Sequence, residues 1–255
     1  MNVKPYFVDI MSQRQKLQFK GLIVLWVCAL VWFWNWWLQQ DHFVTVWGMF
    51  INSIVIGWTL ILPAYYFFFV YRMKIANPEL DPPKGSYAMV VTKAPSEPWS
   101  VVSKTLTAML GQKFPYKYDV WLATETIDDE IVSWCAQHNV HVSCREGIVT
   151  YQNPVFPRKA RCKEGNLSYF YEQGGGLEYD FISQLDADHA PTENYLLEMA
   201  RPFVDPVIGY VAAPSICDAN SGESWVVRAR LYVEASMHGS LQAGYCRNWA
   251  PMPIG

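Results

Sequence analysis

Residues 21–38 and 43–71 are almost wholly apolar and carry no charged side chain. Each run is long enough to cross a hydrocarbon core of about 30 Å as a helix. The second exceeds the minimum, which fits a tilted helix or one that begins in the interface. The first is too long, too late and too Trp-rich for a signal peptide, and has no small-residue cleavage site. After the Pro-rich polar stretch 77–84 the pattern changes to short apolar runs alternating with amphipathic ones. Strands are expected at 87–93, 119–123, 140–143, 181–185 and 208–213, with helices at 96–111, 128–138, 159–173 and 193–203. Such βαβ alternation predicts an α/β domain with a mostly parallel sheet and helices on both faces, preceded by two transmembrane helices.

Charge gives this arrangement an orientation. Arg14, Lys16 and Lys20 precede the first span, Arg72 and Lys74 follow the second, and the link 39–42 has no Lys or Arg. The positive-inside bias therefore places both the N-terminus and everything after Arg72 in the cytoplasm of a multi-pass protein of the inner or plasma membrane. The expected divisions are a cytoplasmic segment 1–20, two spans in 21–71, a linker 72–86 and a cytosolic domain 87–255. Trp32, Trp34, Trp36 and Trp37, and Tyr65, Tyr66 and Tyr71, sit near span ends, as interfacial aromatics do. Asn35 and Asn52 fall mid-span, where helix–helix hydrogen bonding is expected of them. A net charge of −3 over 255 residues argues against nucleic acid as a partner. Six cysteines without a CxxC pair fit neither a disulfide framework nor a zinc site, and suit reduced thiols in a cytosolic compartment.

The candidate chemistry lies at 181–191, where an apolar run ends in Asp186 and Asp188. Ligands of open α/β sheets bind beyond the carboxyl ends of parallel strands. Carboxylates two residues apart on an extended tip point the same way and can both face Mg²⁺ or Mn²⁺, which prefer oxygen ligands and bridge carboxylate to phosphate. The alternative is a pair of solvated acids, with Asp188 or Thr192 capping the next helix. Two further acids follow strands, Glu97 in Ala94-Pro-Ser-Glu97 and Glu125 in Ala123-Thr-Glu-Thr126. The basic run from Arg158 to Lys163 would complete a diphosphate site, or else form a solvated helix face. His138 with His141, and Met237 with His238, read as surface and packing residues rather than metal ligands.

Taken together, Lys163-Glu-Gly-Asn-Leu167 followed by Leu185-Asp-Ala-Asp-His-Ala-Pro191 resembles the family 2 glycosyltransferases of the cellulose synthase-like group. That family has Lys-Ala-Gly-Asn-(Leu/Ile), then Asp-Ala-Asp-His-x-Pro after a similar gap, and membrane helices in front. The resemblance covers residues 87–255 and implies a GT-A type nucleotide-binding domain that extends a β-glucan or related glycan from a UDP-sugar, in particular UDP-glucose. It implies that Asp186 and Asp188 hold Mg²⁺ or Mn²⁺ at the donor diphosphate, and that Lys163 and Asn166 lie against the nucleotide-sugar. Glu97 takes the place of the acid in the family's Pro-Thr-Tyr-Asn-Glu motif, and Glu125 stands where Asp-Asp-Gly usually contacts uridine; the sequence departs from both motifs. The implied reaction is inverting transfer to a growing glycan acceptor, whose hydroxyl needs a general base. The family's base-bearing Thr-Glu-Asp-type motif, its Gln-x-x-Arg-Trp motif and its later membrane helices are expected beyond Gly255. Residues 249–255 resemble the strand before the acceptor site, so the chain is expected to be the N-terminal portion of a longer synthase, one that binds UDP-sugar without polymerising it. Two other expectations stay open: a non-processive transferase acting on a lipid or short oligosaccharide, and a non-catalytic membrane-anchored partner of an active synthase.

Overall fold

A computed structural model describes residues 5–245 apart from 215, 217 and 219; the expected acceptor-side strand at 249–255 lies outside the described residues. The chain divides into two compact units, one of Met1–Asn77 with Ala213–Gly255 and one of Pro78–Ala212. The α/β unit thus ends at Ala212, short of the Gly255 expected for it.

In the first unit, helix α1 (Gln13–Trp37) and helix α2 (Val46–Tyr71) are the two long apolar helices. Helix α1 starts well before its apolar run because Ser12 and Gln15 form a reciprocal capping box: Ser12 Oγ accepts from the Gln15 amide and Gln15 Oε1 from the Ser12 amide. Thr45 caps α2 by accepting from the Gly48 amide at 3.1 Å. No residue of α1 is buried, and only Met49 and Phe69 of α2 are. Their apolar surface therefore does not serve a protein core, and both helices are long and apolar enough to cross a membrane. Asn35 does not bridge the helices: its Nδ2 donates to the Val31 carbonyl of its own helix, because four residues back is the nearest acceptor. The interhelical bond runs instead from Trp37 Nε1 to Ser53 Oγ, at 2.9 Å.

Two short strands extend both helices. Strand β1 (Phe7–Asp9) pairs antiparallel with β2 (Lys74–Ala76), with Asp9 opposite Lys74. The predicted cytoplasmic segment and linker thus hold paired backbone, and the basic ends of the two helices lie together.

The second unit is built on strands β3 (Tyr87–Lys93), β4 (Tyr118–Thr124), β5 (His141–Cys144) and β6 (Phe181–Leu185), all parallel, in the order β5-β4-β3-β6. Strand β3 is buried at every position because it is paired on both sides and covered on both faces. Alternation along it sorts the core. Met89 and Val91 meet Val102, Leu106 and Met109 of helix α3 (Trp99–Leu110), while Val90 joins Ala123 and Phe170 on the opposite face. Helix α4 (Asp129–Gln137) adds Ile131 and Cys135 to the first face, and helix α5 (Lys163–Glu172) supplies Phe170 to the second. Helix α6 (Tyr195–Ala200) continues as a 3₁₀ turn over Arg201–Val204.

Two expectations change. Residues 208–213 form no strand, so β6 pairs only with β3 among the described residues, and Gln184 on it is exposed. The basic run is not helical before Lys163. Arg161 has a left-handed φ of 55°, and Lys159 bridges to Asn153, so α5 can begin only afterwards. Beyond the sheet unit, helix α7 (Trp225–Glu234) passes through a π-helical stretch Ala235–Leu241 into helix α8 (Gln242–Tyr245). The cysteines at 28, 135, 144 and 162 are free thiols; Cys217 and Cys246 lie outside the described residues. Burial among apolar neighbours pushes the Cys135 thiol up to about 11, as expected for an inert core cysteine.

Candidate functional site

Strand β3 leads through α3 to β4 on one side, while β6 pairs on its other side, so the chain reverses its winding between β3 and β6. Such a reversal at the carboxyl ends of two parallel strands is the place where open α/β sheets bind ligands. The loops entering it are 94–98 and 186–191, which carry Glu97, Asp186 and Asp188.

The turn after β6 is held from below. Ala187 is buried between the two aspartates, and Thr105 Oγ1 of α3 donates to its carbonyl at 2.7 Å. The His189 amide closes the turn on the Asp186 carbonyl at 3.1 Å. Asp186 and Asp188 therefore flank an anchored residue and face outward. Asp188 is the open member, with 76% of its side chain exposed and the His189 ring 3.8 Å away. Neither Asp188 nor Thr192 caps the next helix, because α6 starts after Asn194 with no side-chain cap.

The first residue of α5 reaches this turn. Lys163 Nζ donates to Asp186 Oδ1 at 2.7 Å. That hydrogen bond, with further attraction from Asp186, Glu164 and Glu97, holds the ammonium above the usual lysine range against the opposing effect of burial. A folded-state value raised above the unfolded one means the pair stabilises the fold at neutral pH and up to the ordinary lysine pKa of about 10.4, and the contribution fades as pH rises through the folded value. NMR titration of the Lys163 ε-methylene should give a midpoint above about 10.4, falling toward it in Asp186→Asn.

Glu97 lies in a tight turn at the tip of β3, its Oε2 accepting from the Ala94 amide at 2.5 Å and its own amide donating to the Ala94 carbonyl at 3.0 Å. Asn166, one helical turn past Lys163, donates through Nδ2 to the Lys93 carbonyl at 2.8 Å, which ties α5 to the end of β3. Glu125 faces inward: its Oε2 accepts from Arg145 Nη2 at 2.9 Å and from the Arg161 amide at 2.7 Å. Two other cations of the basic run are engaged elsewhere. Arg158 pairs with Glu172 and covers the Tyr151 ring, and the Lys159 ammonium sits 4.8 Å from the centre of the Phe156 ring. His138 and His141 are separated in role, the first stacked on Trp134 and the second on Trp121.

Arg145 organises the whole rim and carried no signal in the sequence. It is wholly buried immediately after β5, and its backbone amide donates to Thr124 at 3.1 Å. The guanidinium donates to Glu125, to Asn166 Oδ1 at 2.5 Å, to the Cys162 carbonyl at 3.2 Å and to the Tyr151 carbonyl. One side chain thus fixes the tips of β4 and β5 to the start of α5, and through α5 the position of Lys163. Gly165 makes room for it, since a Cβ there would lie 2.8 Å from Arg145 Cζ.

No protein-family model matches this chain, and no curated protein matches it. The functional reading therefore rests on the rim itself. Among the described residues no three His, Cys, Asp or Glu side chains converge as a complete metal cage. The donor set still fits a hard cation of the Mg²⁺ kind, which takes one or two carboxylates and completes its shell with water and substrate phosphate. Asp188 and Asp186 are the residues that would hold it.

Proposed function

We propose that this protein is a membrane-anchored inverting glycosyltransferase that binds a UDP-sugar, in particular UDP-glucose, at the carboxyl edge of a GT-A type sheet and serves the extension of a β-glucan or related glycan. The observation that carries the reading is the pairing of Lys163 with Asp186 beside exposed Asp188 at the β3–β6 reversal. This brings the two halves of the glycosyltransferase-like sequence motif to one turn. Parallel-sheet topology and two apolar helices support it at the level of fold and anchoring.

Each residue then has a task. Lys163 supplies a point charge to a phosphate oxygen, and its pairing with Asp186 keeps it charged and aimed at the rim before substrate arrives. Asp188 and Asp186 offer the oxygen donors for a divalent cation, which when bound stabilises the negative charge of the departing diphosphate. Asn166 and Glu97 fix the loops on either side, so the site is preorganised rather than assembled on binding. The two helices anchor the chain in the membrane, and the positive-inside bias puts its N-terminus and everything after Arg72 in the cytoplasm.

Binding tests this directly. Full-length protein in detergent should bind UDP-glucose saturably by calorimetry when Mn²⁺ is present. Asp188→Ala should weaken that affinity about tenfold or more, the loss of one contact to a charged group, while far-UV circular dichroism stays unchanged. Equal binding with and without Mn²⁺, or an unaltered Asp188→Ala, would remove the donor-site reading and leave a structural partner as the better account.

A further inference from the structure

The basic ends of the two apolar helices enclose a second feature that the donor site does not use. Between α1, α2 and the β1–β2 pair lies an open cavity of about 550 Å³. Its lining is graded along the helices. Asp9, Lys16, Arg72 and Lys74 line one end, while Ile23 and Trp26 of α1 and Ala64 and Phe67 of α2 line the other. Lys16 and Trp26 are ten positions apart, about 15 Å along a helix, so the cavity runs from a cationic mouth into an apolar interior.

The mouth holds three cations against one carboxylate. Lys16 is bound to Asp9 at 2.5 Å. Arg72 and Lys74 make no ion pair among the described residues; Arg72 lies over the Phe68 ring, 5.1 Å from its centre. The walls are set by aromatic contacts between the helices, Phe19 and Trp26 each meeting Phe67 edge-on at 5.6 and 5.4 Å. A pocket of this polarity, at the end of membrane-length helices, matches an amphiphile with an anionic head and a hydrocarbon tail. Basic pockets between transmembrane helices bind anionic lipid headgroups for this reason.

We propose that this cavity is a binding site for one anionic glycerophospholipid, its phosphate held by Arg72 and Lys74 and its acyl chain lying against Trp26, Ala64 and Phe67. The inference rests on the membrane-spanning reading of α1 and α2 and is independent of the donor site. A single bound lipid would tie the β1–β2 pair to the bilayer surface and fix the height of the helix ends in it.

Native mass spectrometry of the full-length protein, released from mixed micelles of phosphatidylglycerol and phosphatidylcholine, tests the site. One phosphatidylglycerol per chain should be retained in preference to phosphatidylcholine by about thirtyfold, two cations contributing about 1 kcal/mol each. Arg72→Gln with Lys74→Gln should erase the preference, whereas Arg14→Gln, on the same helix end but outside the cavity, should leave it intact. Ala64→Phe fills the cavity without changing charge and should abolish retention. Equal retention of the two lipids, an equal loss in Arg14→Gln, or full retention in Ala64→Phe each overturns the proposal. Retention of the chain in carbonate-washed membranes tests the anchor separately, so a failed anchor and a failed lipid site are told apart.

Discussion

Arg145→Met is expected to destabilise the α/β unit by about 3–5 kcal/mol, the range for breaking a buried ion pair from one side. For a unit of this size that corresponds to a fall of about 10 °C or more in the melting midpoint. The substitution keeps most of the volume, so the effect measures polar loss rather than a cavity. Glu125, itself buried, would retain only the Arg161 amide on Oε2, and the carbonyls of Tyr151 and Cys162 would lose the donors that now reach them. Two controls separate charge from geometry. Arg145→Lys keeps the charge but not the planar fork, and should recover little. Arg145→Met combined with Glu125→Gln removes the stranded carboxylate and should be more stable than the sum of the single changes implies. Hydrogen exchange of β4 and β5 amides in the full-length protein reads the effect without interference from the long apolar helices. A loss below about 1 kcal/mol, the worth of one ordinary hydrogen bond, would show that Arg145 does not brace the rim.

Arg145 also marks where sequence reading stops. Lys163 and Asp186 could be brought together on paper, because a motif fixes their order and their spacing across a helix–strand unit, and the structure pairs them. A lone arginine after a four-residue strand has no such spacing, and charged residues follow strands routinely. Glu125 was legible as a strand-tip acid, but the direction it faces depends on Arg145, a partner twenty positions away. Strands β3 and β6 were readable to the residue because turns and polar residues bound them sharply. Helix starts were not. Ala94 and Glu97 close on each other and Pro98 becomes the cap, so α3 begins at Trp99 rather than 96. The stretch 208–213 has the β-branched, apolar character of a strand, but a strand also needs an edge to pair with, and local pattern does not say where backbone hydrogen bonds go. The β1–β2 pair was missed for the converse reason: each partner is three residues long, and they lie more than sixty positions apart.

Gly165→Ala is the second large expected loss, and two physical effects predict opposite signs for it. Position 165 lies in the first turn of α5, and glycine in an exposed helix is worse than alanine by about 1 kcal/mol. Propensity alone would therefore make the substitution stabilising. Packing says otherwise. The added Cβ would stand 2.1 Å from the Lys159 carbonyl oxygen and 2.8 Å from both Cζ and Nη1 of Arg145. The first obstacle is backbone, held in place by the Asn153–Lys159 bridge, and the second is a guanidinium with four acceptors around it. Neither can swing aside as a flexible surface side chain would. Relief requires α5 to move away from β5 at its first turn, which carries Lys163 away from Asp186 and Asn166 away from the Lys93 carbonyl. Overpacking of this kind costs about 1–3 kcal/mol and more where backbone must shift, so it outweighs the propensity gain. The expected result is a lower melting midpoint together with a loss of Mn²⁺-dependent UDP-glucose binding at temperatures where the fold persists. A Gly165→Ala protein as stable as wild type, with donor binding intact, would mean that α5 is free to slide and that its register does not set the rim.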